Sequence, residues 1–499
     1  MVRTKCILLL LGLISASLAQ GQEIDTLALR DHTRVLAHDS LEGRGTGTRG
    51  AELAARYIAS QLERLGLSGA GPEGSYFQPI PLAEAVLDPE GTRLVLQRGV
   101  ERLEFRNGEH FVVNTGGVGA FRSFAGEALF AGTAGFAAQA LADRPSLKGQ
   151  VIVILGGVGV EATTLIPDWI RRGAEAAVFL VPEPERFELI ARGRGDTRLY
   201  VQASIDDPIW QPDLPILIAG PHLAAGLLAD APLAPDALDG TRPFTALPLG
   251  RSLEFSIRHE ARTVQASNVA GLLPGRDPAA RDEVVVYTAH YDHLGIDAPD
   301  QRGDSIYNGF SDNAAGVAML LAIAEAMAKD PPARSVLFLF LAGEEKGLLG
   351  SSYYAAFPLV PLERTVAVIN LDAGAPPAPP RSWRIAGGRE STLGELAARV
   401  AASRGWVAEP SAARPNSDHW PFLRRRVPAV FLIPGQDWEG VDGVEREKLH
   451  QRWDRYHRPD DEWAPDFPFA GLQRYAELAL ALGRAVANAP ERPRMLPEP

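Results

Sequence analysis

The segment VVVYTAHYDHLG, residues 284–295, places a run of apolar and β-branched residues directly before a cluster of polar side chains. A run of this composition is typical of a strand that is buried on both faces. It ends in His290, Asp292 and His293, although the whole chain contains only ten histidines. The strand end is therefore either an ordinary polar terminus or the first part of a metal site.

Strands and helices alternate from residue 251 onward. Apolar runs such as SVLFLFL (335–341) and TVAVINL (365–371) are separated by segments with helical spacing of their apolar residues. This alternation indicates a mixed, mostly parallel sheet that is covered by helices on both faces. We therefore predict an α/β fold, a three-layer α/β/α sandwich, in which residues 251–488 form the main part and residues 20–114 the N-terminal part.

The region 115–250 differs in composition from the rest of the chain. It is rich in Ala, Gly and Pro, and its short apolar runs, such as QVIVIL (150–155) and AAVFLV (176–181), are separated by turn residues. This pattern predicts an inserted β-rich domain. The order of strand, helix and strand resembles the protease-associated (PA) domain. The last segment, residues 489–499, is Pro-rich and is predicted to be disordered.

The first nineteen residues, MVRTKCILLLLGLISASLA, have the layout of a secretory signal peptide. Arg3 and Lys5 precede an apolar run that is too short for a membrane-spanning helix of about 20 residues. We therefore expect an exported protein, either periplasmic or secreted. The only cysteine, Cys6, lies in this segment. The mature chain then has no thiol, and any metal must be held by His, Asp or Glu.

Composition excludes some function classes. The chain of 499 residues has a net charge of −12 and no basic stripe, which argues against a nucleic-acid partner. No second long apolar segment follows the signal peptide, so we expect no membrane span in the mature protein. Gly45 to Gly50, GTGTRG, formally matches G-x-G-x-x-G. A dinucleotide site needs a preceding strand, and the sequence before these glycines has a helical pattern, so we interpret them as a flexible turn.

Most candidate ligands stand where the predicted strands end, whereas Asp312 precedes a predicted helix and His457 lies past the last strand. In a sheet of this class, ligand sites form outside the carboxyl ends of the strands. Each candidate alone has an ordinary explanation, such as a helix cap for Asp312 or a solvated pair for Glu344 and Glu345. Several carboxylates at one edge, however, are costly unless a cation neutralises them. A two-metal site with one bridging carboxylate would meet this need. The candidates are His290, Asp312, Glu344, Glu345, Asp372 and His457.

The order of these motifs resembles the M28 family of two-zinc metallopeptidases, which includes secreted aminopeptidases and the glutamate carboxypeptidase group. The shared series is His-x-Asp, Asp-x-x-x-Gly, Glu-Glu, Asp and a final Tyr-His, and the resemblance covers residues 24–110 and 251–488. An inserted PA domain also occurs in this family. The resemblance implies two zinc ions. His290 and Asp372 would hold one, Glu345 and His457 the other, and Asp312 would bridge them.

The resemblance also implies roles for three further residues. Asp292 would accept the second ring N–H of His290 and fix its tautomer. Glu344 would be the general base that takes a proton from the attacking water. Tyr456 would donate a hydrogen bond to the tetrahedral oxyanion. One departure is the SDN at residues 311–313, where relatives often have Asp-Asp-Asn.

Other histidines compete for the last ligand position. His419 lies in SDHWPF and His450 lies between that motif and His457. The order of motifs favours His457. His293 is expected to line the site or to bond locally.

The sequence thus predicts an exported di-zinc aminopeptidase that acts on peptides. A carboxypeptidase of the glutamate type is an alternative, for which Arg424, Arg425 and Arg426 could bind a substrate carboxylate, although such basic trios are usually solvated. A non-catalytic binding protein that uses the inserted domain is a third possibility. The complete set of candidate ligands argues against it. The sequence does not indicate an oligomeric state.

Overall fold

A computed structural model describes residues 24–88, 90–113, 122–156, 160–194, 197–202, 214–231 and 245–497. Two large sheets organise these residues. The predicted signal peptide, residues 1–19, lies outside the described part of the chain.

The first sheet is mixed and contains ten strands. Its central strands pair in parallel, and the strands on both sides of this central group pair antiparallel to it. In spatial order the strands are Val407–Ser411, Ser382–Ala386, Ala429–Pro434, Thr365–Asn370, Val284–His290, Ser335–Leu341, His259–Leu273, Phe77–Leu87 and Thr197–Val201, with Ser68–Gly69 paired beside His259–Leu273.

Helices cover both faces of this sheet, which gives the predicted three-layer α/β/α sandwich. The strand Val284–His290 shows why: Val285 and Tyr287 pack in one apolar core, whereas Val284 and Val286 pack in the other. Alternate side chains of a strand point to opposite faces, so a strand that is apolar throughout needs a core on each side. The helices of this unit are Thr26–Leu36, Arg49–Arg64, Ala315–Lys329, Leu349–Ala356, Thr392–Ser403, His419–Arg424, Gly443–Trp453 and Ala470–Asn488, and its short helical turns are Asp39–Arg44, Pro72–Gly74 and Leu362–Arg364.

The helical segment Phe310–Lys329 is long and apolar enough to cross a membrane by length and composition alone. Of its most apolar window, however, 89% is buried inside the protein. It packs against the helix Thr26–Leu36 and the helix Ala470–Asn488. This is the environment of a core helix.

The second sheet has eight strands and forms a unit of its own with four helices. Its strands in spatial order are Glu101–Arg106, Arg93–Arg98, Leu247–Ser256, Phe124–Thr133, Gln150–Leu155, Ala176–Leu180, Ile216–Ala219 and Phe111–Val113. Its helices are Ala134–Ala140, Val160–Arg171, Pro184–Arg194 and Pro221–Leu228. That this unit is a PA domain stays a prediction.

The boundaries of the second unit differ from the predicted 115–250. The strands between residues 93 and 113, expected in the peptidase part, belong to the second sheet because Arg93–Arg98 pairs with Leu247–Ser256 and Phe111–Val113 pairs with Ile216–Ala219. Conversely, Thr197–Val201 pairs with Phe77–Leu87 of the first sheet. Such assignments depend on pairing between residues more than a hundred positions apart, which local composition does not reveal.

The predicted disorder of residues 489–499 does not hold for the part that is described, up to residue 497. Met495 forms an antiparallel bridge with Ser391, and the amide of Leu496 donates to the carbonyl of Glu390 at 2.8 Å. Arg492 Nε donates to Glu283 at 2.7 Å. Pro-rich composition suggested a free tail, but these contacts hold it against the first unit.

Candidate metal centre

Three neighbouring strands bring the predicted ligands to one edge of the first sheet. Val284–His290 lies between Ser335–Leu341 and Thr365–Asn370 and is parallel to both. His290 is paired with Leu341, so the loop that carries Glu344 and Glu345 begins beside it. Because parallel strands end at the same edge, side chains far apart in sequence meet there.

A first cluster is formed by His290, Asp312 and Asp372. His290 Nε2 lies 2.7 Å from Asp372 Oδ1 and 3.2 Å from Asp312 Oδ1. The imidazole of His290 is 1% exposed. The two carboxylates and the imidazole therefore point at one another, and the imidazole is shielded from solvent.

A second cluster is formed by His293, Asp312, Glu345 and His457. His457 Nε2 lies 3.1 Å from Asp312 Oδ2 and 3.2 Å from Glu345 Oε2. The other oxygen of Glu345 lies 2.7 Å from His293 Nδ1. The structure thus brings together all five predicted ligands and adds His293, which the sequence analysis expected only near the site.

Asp312 belongs to both clusters because its two oxygens face different histidines. It lies in the segment Phe310–Ala314, before the helix Ala315–Lys329, and its side chain does not cap that helix. The neighbouring Asn313 donates to the carbonyl of Leu371 at 3.0 Å, next to the first-cluster Asp372. A bridging ligand must have one oxygen directed at each of two metal-binding clusters, and Asp312 has this arrangement.

The charges of the two clusters fit divalent cations. Although burial opposes it, the carboxylates of Asp372 and Asp312 raise the pKa of His290 well above its usual value. Burial also lowers the pKa of His457, but the carboxylates of Asp312 and Glu345 outweigh burial and raise this pKa to about 10. Yet His457 Nε2, despite its short contacts with two carboxylates, makes a hydrogen bond to neither. Imidazole and carboxylate donors arranged in this way are ligands that zinc accepts.

Glu344 lies beside the clusters and belongs to neither. Burial, together with the nearby carboxylates of Asp372 and Asp418, raises the pKa of Glu344 well above its usual range. Adjacent side chains at a strand end point in different directions. Glu345 is therefore placed to bind an ion, while Glu344 is left available to exchange a proton.

The structure corrects the expected contact of Asp292. The acceptor near His290 Nδ1 is the main-chain carbonyl of Asp292, at 3.0 Å, whereas its carboxylate is 3.8 Å away. The carboxylate instead accepts from Thr46 Oγ1 at 2.6 Å and from the amide of Glu344 at 3.2 Å. The residue beside the ring nitrogen is the predicted one, but the acceptor is its main-chain carbonyl, because its carboxylate is bound by Thr46 and by the amide of Glu344.

Three supporting residues, Ser417, Asn370 and Asp461, were not predicted from the sequence. Ser417, in the SDHWPF motif region, donates its hydroxyl to Asp372 Oδ2, and Asn370 in turn donates to Ser417 Oγ at 2.7 Å. Asp461 accepts from the amides of Ser311 and Asp312, at 3.0 and 3.3 Å. Hydrogen bonds of this kind orient metal ligands. In the sequence, Asp461 stands in an acidic run, PDDE, that is typical of a solvated surface.

The competing histidines lie elsewhere. His419 is fully buried beside Phe431, and burial lowers its pKa to about 3. His450 lies 3.2 Å from Asp454 on the wall of a cavity. Neither belongs to a metal-binding group among the described residues.

A cavity of about 340 Å³ opens beside the first cluster. Asp312, Asp372 and Asp454 contribute carboxylates to its wall, and Trp453 and Leu449 contribute apolar surface. Among the described residues, no Arg or Lys lines it, so Arg424, Arg425 and Arg426 lie outside the lining. The cavity is therefore suited to a ligand with a positive charge and an apolar part.

Tyr456 also lines the cavity, next to the second cluster. Its ring stacks on that of His457 with 3.8 Å between centroids, and 66% of the residue is exposed. Partial burial and the carboxylates of Asp312 and Glu345 raise the pKa of Tyr456, so the phenol keeps its proton at neutral pH. It can therefore act as a hydrogen-bond donor in the wall of the cavity.

Comparisons of sequence agree with this site. Residues 268–483 match the sequence model described as "Peptidase family M28". A "Probable zinc metalloprotease" of Pyricularia oryzae is 39% identical over 93 residues, which are 18% of each chain. The aminopeptidase YwaD of Bacillus subtilis is 26% identical over 228 residues, 41% of this chain and 47% of the relative. The matches thus span less than half the length of both curated relatives.

Among solved structures, an aminopeptidase from Aneurinibacillus sp. strain AM-1 has a similar fold. The two chains superpose with a TM-score of 0.53 over 94% of this chain and 96% of the other, at 18% sequence identity. The similarity therefore extends over both sheets.

Proposed function

We propose that the chain is an exported aminopeptidase of the M28 type that binds two zinc ions, in keeping with the match of residues 268–483 to the model of peptidase family M28. The observation that carries this proposal is the carboxylate of Asp312, whose two oxygens face His290 and His457 in two separate clusters. Curated relatives described as zinc metalloproteases and as an aminopeptidase support the choice of metal and reaction.

Each cluster would hold one ion. His290 and Asp372 are the further ligands on one side, and Glu345 and His457 on the other. Zinc bound in this way supplies a Lewis acid that polarises the scissile carbonyl and makes water more acidic.

The protein's own groups carry the proton transfers. Glu344 takes a proton from the attacking water and passes it to the leaving amine. The phenol of Tyr456, which keeps its proton at neutral pH, donates a hydrogen bond to the oxygen of the scissile carbonyl as negative charge develops there. The raised pKa of Glu344 suits a group that must both accept and return a proton.

The cavity wall favours an aminopeptidase over a carboxypeptidase. The carboxylate of Asp454, which is not assigned to a zinc ion, attracts a substrate's α-ammonium group and would repel a terminal carboxylate. A carboxypeptidase of the glutamate type needs a cation to hold that carboxylate. Among the described residues the cavity offers none.

We expect the zinc-loaded protein to hydrolyse leucine p-nitroanilide with a kcat/KM at least about 100-fold above that for the N-acetylated compound, because acetylation removes the charge that the acidic wall binds. Continuous absorbance assays measure both values. A chelator should abolish the activity and added zinc restore it. Preferred cleavage of N-acetylated dipeptides ending in Glu would contradict the aminopeptidase proposal and favour the carboxypeptidase.

Export rests on the pattern of residues 1–19. We expect N-terminal sequencing of the protein recovered from outside the cytoplasm to begin at Gln20. Recovery of an uncleaved chain from the cytoplasm alone would contradict this.

A further inference from the structure

Residues 44–46 contact the candidate metal centre, although they lie outside the family match at residues 268–483. They overlap the stretch GTGTRG, residues 45–50, which its glycines alone suggest to be a flexible turn. The structure shows a tightly packed segment instead. A Cβ on Gly43, whose φ is +62°, would lie 2.4 Å from the carbonyl oxygen of Gly295 and 2.5 Å from that of Tyr307.

Arg44 holds the main chain beside two predicted ligands. Its guanidinium group donates to the carbonyls of Tyr291, Asn308 and Gly309 at 2.8, 2.6 and 2.9 Å. Tyr291 directly follows the histidine of the first cluster, and Gly309 lies three residues before the carboxylate that both clusters share. The residue is 1% exposed, so these hydrogen bonds are shielded from water.

Thr46 acts on a different part of the site. Its hydroxyl donates to Asp292 Oδ2 at 2.6 Å, and the other oxygen of this carboxylate accepts from the amide of Glu344 at 3.2 Å. Asp292 is fully buried. One carboxylate therefore connects Thr46 to the start of the loop that carries Glu344 and Glu345.

The main chain of Arg44 and Gly45 also contacts the site, at His293. The carbonyl of Arg44 accepts from the amide of His293 at 3.1 Å, and Gly45 forms a parallel bridge with His293. His293 Nδ1 in turn lies 2.7 Å from Glu345. The segment thus reaches loops that supply ligands to both clusters.

We propose that residues 44–46 form a clamp that positions the metal ligands, and that Thr46 is a positioning residue acting through Asp292. This inference rests on the proposed function, because it assumes that the two clusters bind metal. The clamp acts before any substrate is bound, by holding Asp292 and the loop after it in the arrangement that the ligands need. Partners that orient metal ligands contribute about 10- to 100-fold to metal affinity or activity.

The test compares Thr46→Val, which removes the hydroxyl at nearly constant volume, with Thr46→Ser, which keeps it. Zinc affinity is measured by competition with a chromophoric chelator, without substrate. We expect Thr46→Val to bind zinc about tenfold more weakly than the wild type. Thr46→Ser should bind it as the wild type does. Replacement of Arg44 is a less useful test because a fully buried guanidinium with several partners is needed for folding itself.

Thr48→Val is the matched control. Thr48 lies two residues away, is exposed, and caps the helix Arg49–Arg64 through the amide of Ala51 at 3.4 Å. This change should lower the melting temperature of the metal-free protein and leave zinc affinity unchanged, which separates loss of stability from loss of positioning. Wild-type zinc affinity in Thr46→Val, or equal weakening in Thr46→Ser, would overturn the clamp. A wild-type protein that binds no zinc would instead overturn the proposed function.

Discussion

Replacing Glu344 with Gln is expected to lower kcat by about 10²- to 10⁴-fold, the usual contribution of a general base. The amide has the shape of the carboxylate but cannot take a proton from the attacking water. Glu344 belongs to neither cluster, so the variant should retain the zinc content of the wild type. KM should change little because substrate binding does not need this proton transfer. The measurements are steady-state kinetics and metal analysis of the same preparation.

Glu345→Gln is the control for this prediction. It removes the same charge one residue away, but from a side chain that contacts His293 and His457 in the second cluster. This variant should lose zinc as well as activity. A Glu344→Gln protein with nearly wild-type kcat, or one that loses zinc as Glu345→Gln does, would contradict the role assigned to Glu344.

Asp312→Asn should have the largest effect on metal binding. The change keeps the volume of the side chain but removes the negative charge and one of the two oxygens that face His290 and His457. Because the carboxylate is shared, both clusters should bind zinc more weakly, by more than the roughly 10- to 100-fold expected for a supporting residue. Chelator competition and metal analysis report the loss, and activity should fall with zinc occupancy.

Asp454→Asn provides a matched control in the same cavity. Asp454 is an exposed carboxylate that lines the cavity and pairs with His450 at 3.2 Å, but it belongs to neither cluster. Zinc content should be unchanged in this variant. If Asp312→Asn bound two zinc ions as tightly as the wild type, the bridging role of Asp312 would be wrong.

The positions of three candidate ligands could be predicted from the sequence because the sheet brings the ends of its parallel strands together. Continuous apolar runs identify the parallel strands, and the residues that follow such strands collect at one edge, which places His290, Glu345 and Asp372 together. Asp312 and His457 do not end strands. They were candidates as a carboxylate and an imidazole near these strand ends, and the resemblance to M28 peptidases implied their particular roles, the shared ligand and the last ligand.

The supporting residues were not predictable in the same way. Thr46 lies more than 240 positions before the carboxylate that it contacts, and a threonine in a glycine-rich segment has no pattern that distinguishes it from a turn residue. Asp461 lies in the acidic run PDDE, residues 459–462, whose composition is typical of a solvated surface. The contact of Asp292 shows a related difficulty: the residue was identified, but whether its carbonyl or its carboxylate meets His290 depends on the local course of the chain.

The boundaries of the second unit could not be predicted from local sequence composition either. The strands between residues 93 and 113 resemble other short strands in composition, and only their pairing assigns them to the second sheet: Arg93–Arg98 pairs with Leu247–Ser256, and Phe111–Val113 pairs with Ile216–Ala219. The segment after residue 488 illustrates the opposite error. Its prolines suggested disorder, whereas Arg492 and Met495 attach it to the first unit.

The most direct test of the two-metal site is a crystal structure of the zinc-loaded protein with anomalous diffraction data at the zinc edge. We predict two anomalous peaks about 3.5–4 Å apart, the spacing typical of two-metal hydrolases. One should lie among His290, Asp312 and Asp372, and the other next to Asp312, Glu345 and His457. A single peak, or peaks that do not share Asp312, would contradict the account.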